Sequence, residues 1–206
     1  MAFLPVEFAA AGPRPAAAPA ASDHLRVGTF GTGGDSKRLE VVAKALALIS
    51  RTRPVRLSVA GWAAARHCRA TGIASLPFVE VHDGVDEPQL DALMRGVDVA
   101  VQLRVPTHGE SSGAVARLLG LGRQVVVTGE GSFTELPPAL VTCVPADCQP
   151  AQLAAAIEAA AARGLTAAAL REALEPFSPQ AFAERIAGVL GGESRAEVAR
   201  PSRLSA

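Results

Sequence analysis

Short apolar runs alternate along most of this chain with longer stretches of helical periodicity. Residues 25–30 (LRVGTF) read as a first buried strand. In residues 36–50 the positions Leu39, Val42, Ala43, Leu46 and Ile49 recur at the spacing of one helix face. The alternation continues with strand 55–60, helix 63–71, strand 78–82, a short helix 89–95, strand 97–103, helix 111–121, and strands 124–128 and 140–144. Helices at 150–162, 165–174 and 179–190 close the run. Such alternation predicts an α/β fold: a single doubly wound, Rossmann-like parallel sheet of about six strands with helices on both faces. Right-handed crossovers then bring every strand's C-terminal end to one edge, where open α/β sheets take their ligands. Gly31, Gly61, Arg104 and Gly129 all fall at that edge.

The pattern also bounds the domain. Residues 1–22 are rich in alanine and proline and read as a disordered linker, stiffened toward polyproline II by Pro13, Pro15 and Pro19. Residues 191–206 read as a disordered polar tail, which leaves 23–190 as one domain. A signal-peptide reading of the N-terminus fails, because a basic start is missing and Glu7 and four prolines interrupt any apolar core. No apolar run approaches the ~20 residues of a membrane span. Formal net charge is zero over 206 residues, so no broad field draws the chain to nucleic acid or an anionic membrane. Cys68, Cys143 and Cys148 lack metal-type spacing, and their odd number suits reduced thiols in a cytoplasmic setting.

Candidate chemistry is densest in residues 103–137, LRVPTHGESSGAVARLLGLGRQVVVTGEGSFTELP. A buried strand ends there, a loop with Pro106 and Gly109 follows, and Glu110-Ser111-Ser112-Gly113 opens a helix. Backbone N–H groups at a helix start hold phosphate, and a carboxylate accepts hydrogen bonds from sugar hydroxyls. These residues therefore predict a pocket for a sugar joined to phosphate, with Gly131 in a second glycine-rich turn beside it. His108 is the one histidine placed to matter. Arg104, at a buried strand end, either binds phosphate or pairs internally, since an unpaired charge there is costly. The loop after the first strand, GTFGTGGDSKR, sets Gly31, Lys37 and Arg38 at a second phosphate cradle. It is neither a Walker A loop nor a good dinucleotide fingerprint, because Gly61-Trp62 stands where an NAD-binding fold places a ribose-binding acid. No Ser-His-Asp order, H-E-x-x-H or D-x-D metal motif occurs.

The block R-x-P-T-x-G-E-x-S, with G-x-F-T-E-L-P after it and F-S-P-Q-A-F-A-E-R-I near the end, resembles the donor-binding, C-terminal half of retaining GT-B glycosyltransferases of the glycogen-synthase-like type (family 4), in a variant branch. The resemblance implies that Glu110 is the first acid of the family's paired-glutamate motif, touching the donor sugar and orienting the leaving group. Arg104, His108, Gly109, Ser111, Ser112, Gly113 and Gly131 are then donor-binding. It implies that Lys37 is the lysine of the family's K-G signature, with Arg38 in place of that glycine and Thr29 in place of an arginine. The second acid would fall at Leu118, or at Arg117 if Gly122 is the anchor, and neither is acidic. Also implied are a nucleoside-diphosphate sugar as substrate, no metal or other cofactor, and a separate N-terminal acceptor domain or subunit as partner. A chain holding the donor half alone is expected to turn over little. The alternative is a non-catalytic nucleotide-binding or assembly module derived from such an enzyme.

Overall fold

A computed structural model describes residues 23–164 and 166–196, without the side chains of Ala167 and of residues 191–196. The chain runs β1 (Leu25–Phe30), α1 (Leu39–Ile49), β2 (Val55–Ala60), α2 (Ala64–Ala70), β3 (Val79–His82), α3 (Glu87–Gly96), β4 (Val99–Gln102), α4 (Gly113–Gly120), β5 (Gln124–Thr128), β6 (Val141–Val144), α5 (Pro150–Ala162), α6 (Ala167–Leu174) and α7 (Pro179–Ala196). The six strands form one sheet in the order β3-β2-β1-β4-β5-β6, and every pairing is parallel. The expected doubly wound sheet is thus the observed one.

Because the strands are apolar on both sides, successive residues feed opposite cores. Val99 and Val101 join α1 and α5 through Leu39, Leu46, Leu153 and Ile157, whereas Ala100 faces the other layer. There Val125 and Val127 pack with Met94, Val115, Leu118, Leu119, Leu170 and Leu174 of α3, α4 and α6. Each fully buried leucine contributes about 1.5–3 kcal/mol relative to exposure.

Local signals explain several of the helix ends. Asp86 and Gln89 form a capping box at the start of α3. Gly122 (φ 70°) terminates α4 in a Schellman motif, with Arg123 N bonded to Leu118 O and Gly122 N to Leu119 O.

Two stretches depart from expectation. The helix expected over 36–50 is broken: a 3-10 turn at Asp35–Lys37 is followed by Arg38 in the left-handed region (φ 48°), and α1 starts only at Leu39. Periodicity could not reveal the break, because the apolar positions all lie after it. The last helix continues to Ala196, past the expected end at residue 190. The linker expected over 1–22 and the tail beyond residue 196 lie outside the described residues.

Candidate functional site

From β1 the chain winds one way to β2 and β3, then returns to place β4 on the other side of β1. The point where the winding reverses lies between β1 and β4. Connections leave that point in opposite directions and open a crevice at the strands' C-terminal ends. A cleft of about 370 Å³ lies there. One wall is the β1–α1 loop from Gly31 to Gly34, together with Ser36 and Lys37. The other is Arg104 and the start of α4, from Glu110 to Ala114.

The glycine wall is tightly built. Gly61 (φ 143°) lies so close to Gly31 that a Cβ there would stand 2.2 Å from the Gly31 carbonyl oxygen. Gly33 N donates to Trp62 O at 2.8 Å, and a Cβ on Gly33 would be 2.8 Å from Ala63 O. The β2–α2 turn thus backs the loop, and only glycine permits so close an approach.

Lys37 reaches from its 3-10 turn to the crevice floor. Its Nζ donates to Phe30 O at 2.7 Å and to Gln102 Oε1 at 3.0 Å. Burial, and then the charge of Arg104, pull its ammonium down from the ordinary lysine value to about 8.

On the other wall Arg104 Nη1 meets Glu110 Oε1 at 2.9 Å. The second carboxylate oxygen accepts from His108 N at 2.8 Å and lies 3.4 Å from Thr107 Oγ1. The backbone N–H groups of Glu110 and His108, with Arg104 adding to them, hold this carboxyl below its ordinary value. Ser112 caps α4 by accepting from Val115 N at 3.4 Å.

Of the residues singled out from sequence, Gly31, Lys37, Arg104, Glu110, Ser111, Ser112 and Gly113 come together around this cleft. Four do not line it. Arg38 turns away: its Nη2 donates to Cys148 O at 3.1 Å and its Nη1 to Ala146 O, so the guanidinium ties the β6–α5 loop. A left-handed backbone at Arg38 swings its side chain off the path of Lys37. His108 serves Glu110 through its backbone N–H. Gly109 (φ 82°) and Gly131 (φ 60°) pack closely together, and a Cβ on Gly131 would stand 2.8 Å from Thr107 Oγ1 and 3.2 Å from Gly109 Cα. Beside them Ser132 Oγ donates to Glu110 O at 2.8 Å.

Thr32, Gly33, Gly34 and Ser36 of the glycine-rich loop line the cleft beside Gly31 and Lys37, while Gln102, which holds Lys37, was not singled out from sequence. For Gln102 there was a signal: a polar residue ending the apolar run V-A-V-Q. The two positions considered for a second acid are both committed elsewhere. Leu118 is fully buried, and Arg117 Nε bonds Asp91 Oδ1 at 2.7 Å while its Nη1 meets Glu87, tying α4 to α3. Asp98 anchors the start of β4 to Arg26, at 2.6 Å between side chains.

No family model and no curated protein matches the chain. Solved structures do. Anabaena HepE in complex with UDP-glucose superposes with a TM-score of 0.61 over 82% of this chain and 49% of that one, at 20% identity. The fold is that of a GT-B half-domain. A glycosyltransferase of avilamycin A biosynthesis gives 0.58 at 19% identity, covering 84% of this chain and 52% of its own length. The chain therefore spans about half the length of these structures. A third match, the N-terminal domain of Candida albicans trehalose-6-phosphate phosphatase, gives 0.60 at 12% identity. Chemistry must therefore be argued from the site, since the half-domain alone does not select it. Among the described residues no helix is long and apolar enough to cross a membrane.

Proposed function

We propose that the chain is the donor-binding half of a retaining glycosyltransferase of the glycogen-synthase-like type, taking a nucleoside-diphosphate sugar. The observation that carries this reading is the crevice between β1 and β4, which combines two cations, Lys37 and Arg104, with a carboxylate held in its ionised form at the start of α4. Lys37 and the N–H groups opening α4 bind the diphosphate, and Arg104 neutralises charge on it as it leaves. Glu110 accepts hydrogen bonds from the sugar hydroxyls and orients the ring. The protein side needs no metal for this, because cations and a helix start supply the positive charge. The UDP-glucose bound by Anabaena HepE makes UDP the first nucleoside diphosphate to test. Acceptor binding falls to a separate half, in keeping with the span of about half the matched structures.

The burial of Leu118 and the engagement of Arg117 favour a second reading, a nucleotide-binding module without transfer activity. Neither position can supply a carboxylate for a ribose. Calorimetry of the purified chain with UDP, GDP, TDP and NAD tests the first requirement of both. Binding of one nucleoside diphosphate in preference to NAD supports a donor site. Binding of NAD alone would remove it. Transfer from the bound donor once an acceptor half is added separates the enzyme from the module.

A further inference from the structure

The crevice floor lies where β1 and β4 part. Their register pairs Val27 with Val99 and Gly28 with Ala100. Beyond that, side chains join the strands. Thr29 Oγ1 donates to Val101 O at 2.7 Å in full burial. One step further Lys37 spans the gap, bonding Phe30 O at the end of β1 and Gln102 Oε1 at the end of β4.

Gln102 is 2% exposed. Only its oxygen can accept from an ammonium, so Lys37 sets which way the amide points. Its Nε2 is left as a buried donor with no partner among the described residues. A buried amide satisfied at one end costs stability that an apolar residue would not. Its benefit lies at the charge it touches. An ammonium carries three N–H groups, and two of them are spent on the floor, so one is left for a ligand in the crevice that Lys37 lines.

We propose that Gln102 is a positioning residue that holds the Lys37 ammonium at the crevice floor, charged and aimed at an entering diphosphate. This rests on reading the crevice as a diphosphate site. A neutral acceptor suits that task. It fixes the ammonium without cancelling its charge, whereas a carboxylate at the same place would pair with it and weaken its pull on phosphate. The charged group bearing on Lys37 from the opposite wall is Arg104, which is itself paired with Glu110.

Lys37 and Lys44 are the chain's two lysines, and Lys44 is exposed on α1, so lysine-labelled protein gives two side-chain NMR signals. Titrating the free protein should place the Lys37 midpoint near 8. Gln102→Glu should move it up by about one pH unit or more, and Gln102→Leu should move it down. General loosening of the fold would not move it in opposite directions. UDP affinity at neutral pH should fall about tenfold in both variants. An unmoved midpoint in both overturns the proposal, as does unchanged UDP affinity in both. Midpoints that move as expected in a chain that binds no nucleoside diphosphate would confirm the hold on Lys37 and remove the diphosphate reading itself.

Discussion

Arg104 and Glu110 face one another across 2.9 Å at the mouth of the crevice, so the cation that would meet a phosphate is already paired with the acid that would meet a sugar. An anionic ligand must therefore compete with Glu110 for Arg104. Replacing Glu110 by Gln frees the guanidinium. UDP should then bind as tightly as to the wild type or tighter, while any gain in affinity from an attached sugar is lost. Arg104→Ala should weaken UDP and UDP-glucose alike by about tenfold, the loss of one charge-assisted hydrogen bond. Calorimetry on the two variants gives the comparison; equal losses for both ligands in Glu110→Gln would contradict it.

Lys37 makes a pH prediction. Its folded value, about 8, lies below the ordinary lysine value of 10.5. Between these pH values the unfolded chain holds a proton that the folded chain has released, so this group's contribution to stability rises with pH across that window. Cys68, Cys143 and Cys148, all raised by burial, work in the opposite sense. The difference between wild type and Lys37→Met isolates the lysine. Melting curves at pH 8 and pH 10.5 should show the wild type gaining on the variant. Parallel curves would count against a buried ammonium.

Arg38 should prove structural. Its guanidinium holds the carbonyls of Ala146 and Cys148, while its backbone sits in a left-handed conformation. Arg38→Ala loses the contacts and keeps the strain, at about 1–3 kcal/mol. Arg38→Gly loses the same contacts but relaxes the backbone, and should be more stable than Arg38→Ala by about 1 kcal/mol. Urea unfolding measures both. Nucleotide affinity should stay at the wild-type value in each folded variant.

Leu118→Glu would put the acid of the resembled motif back by sequence position. Leu118 is fully buried between α4 and the sheet, so the change places an unpaired carboxylate in the core. The expected result is a loss of about 3–5 kcal/mol, and no gain in ribose recognition. A stable variant with tighter UDP binding would show that α4 turns differently.

The fold was legible because alternation and glycine punctuation are local properties, and β1, β2, β5 and α5 fall at their expected residues. Lys37 and Glu110 were legible because motif spacing placed them on the ligand edge. What stayed hidden depends on direction and partnership. The break at Arg38 turns two adjacent cations to opposite tasks, one to the crevice floor and one to the β6–α5 loop. Whether Arg104 pairs internally was settled by a loop that folds Glu110 back onto it. Gly131 belongs to a turn that packs on Thr107 and Gly109, a relation that appears only once β5 and its neighbours are assembled.

The central claim is that the switch point between β1 and β4 binds a nucleoside diphosphate. The most direct measurement is a UDP titration of the 15N-labelled chain followed by backbone NMR. The account predicts saturable shifts concentrated at Gly31 to Lys37 and at Glu110 to Ala114, which weaken in Arg104→Ala. Saturable shifts elsewhere with both segments silent, or no response at millimolar UDP, GDP and TDP, would contradict it.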